Sequence, residues 1–145
     1  MSRAGLLRFL LPALVILILA IQFLPVDRQA PPTDGLVDAP DPVMTVLKQS
    51  CFDCHSNQTQ WPWYGYIAPF SWLIQDHVGE AREELDFTAW NQYDEDERLD
   101  LQEDVWDEVD LEEMPPAYYV LLHPEARITQ KDREILEAWA DAASF

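Results

Sequence analysis

The chain has 145 residues, with 27 acidic against 9 basic side chains and a formal net charge of −18. That balance makes nucleic acid and anionic lipid surfaces poor partners. Two cysteines exclude a disulfide-rich scaffold, and four glycines with little alternating hydrophobicity argue against a β-sheet fold.

The first element is apolar. Leu6 to Leu24 reads LLRFLLPALVILILAIQFL, 19 positions in which Arg8 and Gln22 are the strongly polar ones. As a helix rising ~1.5 Å per residue it would be about 28 Å long, close to a bilayer's hydrocarbon core. Pro12 lies in its first third, where a kink is tolerable. Arg28 stands two positions before Ala30, which spoils an A-x-A cleavage site, and no cysteine is placed there for lipid attachment. The expectation is an uncleaved signal anchor over residues 1–25. Arg3 and Arg8 would stay cytoplasmic, and the remainder would face outward. In a bacterium this is a single pass through the inner membrane, with the folded domain in the periplasm.

Residues 26–40 read VDRQAPPTDGLVDAP and suggest a proline-rich linker. Fully extended at ~3.1 Å per residue, it would reach about 45 Å. The remaining residues, 41–145, number about 105, enough for one small domain. They also carry the charge, with 24 acidic and 6 basic side chains.

Asp41-Pro42 reads as a helix start, with proline at the first helical position and Val43, Val46, Leu47 and Cys51 on one face. This helix runs into Cys51-Phe52-Asp53-Cys54-His55, a C-x-x-C-H run. Two thiols three positions apart can each bond a vinyl group of one porphyrin, and the adjacent histidine then serves as proximal iron ligand. A thioredoxin-like pair would need a βαβ setting, which is absent. A zinc site would need two more ligands, and His77 and His123 do not stand at finger-like spacing. A disulfide would close a very small loop. The spacing therefore predicts covalently attached haem c, one per chain.

Residues 56–69 form a loop. Trp61, Trp63, Tyr64, Tyr66, Phe70 and Trp72 crowd the stretch after the motif, either to wall a porphyrin or to serve as core. Phe70–Leu85 reads as a helix with Trp72, Val78, Ala81 and Leu85 inward. Phe87 to Trp90 is a short turn. Asp94–Leu111 reads as a helix with Leu99, Val105, Trp106 and Val109 inward. Asp94 to Glu113 holds 12 acidic residues in 20. No glycine stands where a calcium loop needs one, so the segment reads as a solvated face or a docking surface for a basic redox partner. Residues 114–124 carry three prolines and read as non-helical. Thr129, with Asp132 three positions on, opens a last helix whose apolar stripe is Ile135, Leu136 and Trp139 and which runs to about Ala143.

This order predicts an all-α domain like a small class I cytochrome c, in which first and last helices cross. A sixth iron ligand is expected from Met114, His77 or His123, or from none. Met114 is favoured because it lies in a proline-stiffened Met-Pro-Pro segment downstream of the motif. Thioether sulfur is also a soft ligand.

CFDCHSNQTQWPWYGYIAPFSWLIQDHV, then DFTAW, then EEMPPAYYVLLHPEARIT resembles the bacterial haem-binding domain family of small, membrane-anchored, single-haem proteins. The resemblance spans about Val43 to Trp139. It implies haem attachment at Cys51 and Cys54, iron ligation by His55, and Met114 as distal ligand. One departure is Leu111-Glu112-Glu113, where a glycine is expected shortly before the Met-Pro pair. The expected function is a tethered one-electron carrier between partner proteins, without substrate turnover. The alternative is a haem-based gas or redox sensor with a labile distal ligand. A peroxidase lacks a convincing distal acid–base pair, since His77 has no arginine at obvious spacing.

Overall fold

A computed structural model describes residues 3–142, with side chains from Arg8 onward. Among the described residues there are six α-helices and no strand, so the chain is all-α as expected. Packing divides it into two units. One comprises Met1–Gln29 with Trp61–His77, the other Ala30–Gln60 with Val78–Phe145.

In the first unit, α1 spans Arg3–Ile21 with Pro12 inside it, and its described apolar side chains are exposed. Among the described residues no helix is long and apolar enough to cross a membrane. The expected span of Leu6–Leu24 is not reached by one continuous helix. The helix stops at Ile21, residues 22–24 form a turn, and the side chains of Leu6 and Leu7 lie outside the described residues. The stop has a polar cause. Gln22 turns its amide to Ala68, accepting from the Ala68 N–H at 2.9 Å and donating to its carbonyl at 3.3 Å.

The second unit holds the core. α2 (Asp41–Ser50) opens with Pro42 in its first turn and buries Val43, Val46 and Leu47. α3 (Phe70–Glu84) begins in the first unit and ends in the second, where Val78 and Leu85 are buried. α4 (Glu95–Asp110) starts from a capping box between Asp94 and Glu97 and buries Val105 and Val109. Leu99, expected inward, is exposed, and Leu101 packs on the core instead. α6 (Gln130–Asp141) starts from the Thr129–Asp132 capping box and buries Leu136, Trp139 and Ala140. It packs on both α2 and α4, so the first and last helices of the domain do meet. Ala143 lies outside the described residues.

Two expectations are corrected here. Residues 114–124 are not free of helix, because α5 occupies Ala117–Leu122. The prolines flank it: Pro116 is its N-cap and Pro124 follows its C-cap, so neither costs an interior hydrogen bond. The linker at 26–40 is not a free tether. Asp34 N–H donates to the Thr88 carbonyl and Val37 N–H to that of Phe87, both at 2.8 Å, and Val37 is buried in the core. Asn57 Nδ2 donates to the Pro31 carbonyl and to Thr33 Oγ1. Gly35 has φ +84°, and a Cβ there would fall 2.5 Å from Asn91 Cγ, so the clamp requires glycine.

Candidate functional site

The C-x-x-C-H run continues the C-terminal turn of α2. Cys51 and Phe52 N–H groups donate to the Leu47 carbonyl, and Cys54 and His55 N–H groups to that of Cys51. Phe52 supplies the anchor. It is buried, stacks on Phe87 at 5.4 Å, and Phe87 in turn lies 6.4 Å from Trp90. The segment after α3 holds the motif from the other side. Phe87 N–H donates to the His55 carbonyl at 2.9 Å. Arg82 donates through Nε to the Ser56 carbonyl and through Nη2 to Thr59 Oγ1, both at 2.8 Å.

These contacts fix the imidazole. His55 Nδ1 lies 3.0 Å from the Leu85 carbonyl. A carbonyl only accepts, so Nδ1 must carry the proton, which leaves the Nε2 lone pair free to bind a metal. Burial pushes the His55 pKa down, against weaker opposing effects of hydrogen bonding to Leu85 and Ala81 and of the Asp86 and Glu108 charges. Burial thus favours the neutral form of the ring.

Both cysteines are free thiols. Burial, helped by the neighbouring Cys54, pushes Cys51 up to about 12. Burial and then the Asp53 charge push Cys54 up to about 11, against the lowering influence of Arg82. Burial thus favours the protonated thiol at both positions.

Met114 lies in the same unit as the motif and is 38% exposed. Its N–H donates to the Glu108 carbonyl, and the Met114–Pro115 bond is cis. The missing glycine is accounted for two positions earlier. Glu112 adopts φ +60°, the left-handed conformation that glycine favours. The Met114 segment is tied to the motif by a contact that sequence reasoning missed. Tyr119 donates its hydroxyl to Asp53 Oδ2 at 2.8 Å, and its ring stacks on His123 at 4.4 Å. His123 Nδ1 is 3.2 Å from Glu125 Oε1, and Gln49 of α2 donates to the Glu125 carbonyl. The motif M-P-P-x-x-Y-x-x-L-H-P-E-A contained this signal, but nothing in it names Asp53 as the partner.

His77 belongs to the other unit, as do Trp61, Trp63, Tyr64, Tyr66, Phe70 and Trp72. Of the two readings of these aromatics, the one as domain core is corrected. The core rings are Phe52, Phe87, Trp90 and Trp139. Of the loop rings, Trp61 and Tyr66 lie beside Arg28, whose guanidinium is 5.8 and 4.6 Å from their centroids and which donates to the Gly65 carbonyl.

These residues suit haem. One neutral histidine nitrogen fits a metal whose in-plane positions a macrocycle fills. The apolar side chains of α5 support the same fit: this helix buries none of its residues, and Leu121 is 79% exposed. Six exposed or half-exposed side chains reading Ala-Tyr-Tyr-Val-Leu-Leu offer apolar area for a large flat group.

No curated protein and no solved structure gives a significant match. A family model does: residues 16–142, most of the chain and all of the motif, match the haem-binding domain. With a free proximal-type nitrogen beside two free thiols inside that matched region, the chain belongs to the haem-binding domain family.

Proposed function

We propose that the chain is a mono-haem c-type cytochrome that carries one electron between partner proteins and turns over no substrate. The observation that carries this reading is the His55 Nδ1–Leu85 carbonyl bond beside two free cysteines at C-x-x-C spacing. Cys51 and Cys54 would hold the haem through thioether bonds, and His55 Nε2 would ligate its iron. Bound there, haem supplies a one-electron iron couple. The chain's own residues do the rest. Leu85 fixes the imidazole tautomer, Arg82 and Phe87 immobilise the motif backbone, and burial of Phe52 keeps the thiols in register. Rigid positioning of this kind keeps reorganisation small when charge changes. Met114 is the proposed distal ligand, held near the motif by Tyr119. Met/His ligation raises the reduction potential.

The placement proposed is at a bacterial inner membrane with the haem domain on the periplasmic side. Its support is the apolar, exposed α1 together with a motif whose haem attachment belongs to that side. The acidic face of α4 is the proposed docking surface for a basic redox partner.

Cys51→Ala with Cys54→Ala tests the cofactor. Haem from the natural protein should resist extraction into acidic organic solvent, while any haem in the double variant should extract. Extraction from both would end the c-type reading. A sensor is the second reading, favoured by the exposure of Met114. Rapid carbon monoxide binding to the reduced natural protein would decide for it.

A further inference from the structure

We propose that the segment Trp61–Leu73, a loop running into the first turn of α3, is a membrane-interface anchor, seated at the headgroup level of a zwitterionic bilayer where α1 leaves the lipid. The proposal rests on the reading of α1 as a membrane segment and adds a second lipid contact to it.

Three observations within the first unit carry it. First, the loop is bolted to the end of α1. Gln22 makes a reciprocal pair with the Ala68 N–H and carbonyl, and also donates to the Ile18 carbonyl of the helix itself. Asp27 N–H donates to Gln75 Oε1 at 2.9 Å, and Arg28 is held over Trp61 and Tyr66. Wherever the end of α1 sits, the loop sits beside it.

Second, the loop exposes the side chains that bilayer interfaces collect. Trp63, Tyr66 and Phe70 are 75%, 61% and 56% exposed, and Ile67 and Leu73 are exposed as well. Trp and Tyr combine an apolar body with a polar tip and concentrate at the membrane–water boundary. In water this patch would be costly, and the core does not use it.

Third, the charge is segregated. The first unit carries Arg3, Arg8 and Arg28 against Asp27 and Asp76, a net of +1. The second carries 6 basic against 25 acidic residues, a net of −19. The unit that holds α1 and the aromatic loop thus carries few charged side chains whose desolvation would oppose its settling at a lipid surface. The unit with the haem motif carries all the excess that keeps a surface hydrated.

The test uses the full-length holoprotein in phosphatidylcholine vesicles. Nitroxide labels are placed one at a time at Trp63→Cys, Tyr66→Cys and Phe70→Cys, with Val15→Cys on α1 and Glu103→Cys on α4 as references. Accessibility to oxygen against a water-soluble nickel complex reports depth. The expected result is that labels at 63, 66 and 70 fall between the two references, with oxygen favoured severalfold more than at 103. If they match 103 while 15 reports lipid, the loop is not an anchor, and the reading of α1 survives. If 15 also reports water, both fail together. Labels at 63, 66 and 70 shielded from both reagents would mean that protein covers the loop, which overturns the proposal.

Discussion

Tyr119→Phe isolates the bond that ties the Met114 segment to the haem motif. The variant keeps the ring and its stack on His123 and deletes only the hydroxyl that donates to Asp53 Oδ2. A hydrogen bond to a charged group contributes ~1.5–3 kcal/mol. The lower end applies here, because the pair is only part-buried and Asp53 keeps a second donor in the Gln60 N–H at 3.0 Å. At ~1.4 kcal/mol per tenfold, a loss of about 1.5 kcal/mol raises the open population of the segment roughly tenfold. The assay is carbon monoxide binding to the reduced holoprotein by stopped flow, since under the proposed ligation the gas must wait for Met114 to leave. The rate should rise roughly tenfold for Tyr119→Phe and similarly for Asp53→Asn, with no further gain in the double variant. A rate within about twofold of the natural protein, alongside a lowered melting temperature, would refute the reasoning. It would show that the bond stabilises the domain without restraining the distal segment.

Other outcomes follow from the same geometry. Glu112→Gly should raise the melting temperature, because a non-glycine residue at φ +60° costs ~1 kcal/mol that its exposed pairing with Arg133 at 3.6 Å does not offset. Gly35→Ala should lower it by several degrees in thermal denaturation, since the added Cβ meets Asn91 2.5 Å away. Met114→Ala should abolish the weak red charge-transfer band of the oxidised spectrum, lower the potential and admit carbon monoxide, whereas His77→Ala should leave all three unchanged. Reversal of that pattern would move the distal ligand to His77. Electron transfer to a basic partner should slow as salt rises, because screening over ~10 Å at 0.1 M weakens steering by the α4 face. A salt-independent rate would leave that face a solubilising surface.

The sequence by itself determined whatever is local. The capping box at Thr129, the Pro42 start of α2 and the 3.6-residue stripes located four helices to within a few residues, because each signal is completed within a turn or two of chain. C-x-x-C-H pointed to haem for the same reason, since its five residues are adjacent, and the family match agrees on haem. The linker, the aromatic loop and the Met-Pro-Pro segment were settled elsewhere. Proline content made residues 26–40 look free, but burial of Val37 against Phe87 and the backbone bonds from Asp34 and Val37 draw them into the domain. The rings at 61–72 could be read as porphyrin wall or as core, but the core was filled by Phe52, Phe87 and Trp90, and Gln22 captured the loop from 46 residues away. Leu85 became the partner of His55, and Asp53 that of Tyr119, through separations of 30 and 66 residues. Such pairings depend on which chain segments meet in space. No short-range pattern encodes that, so only the tertiary structure decided them.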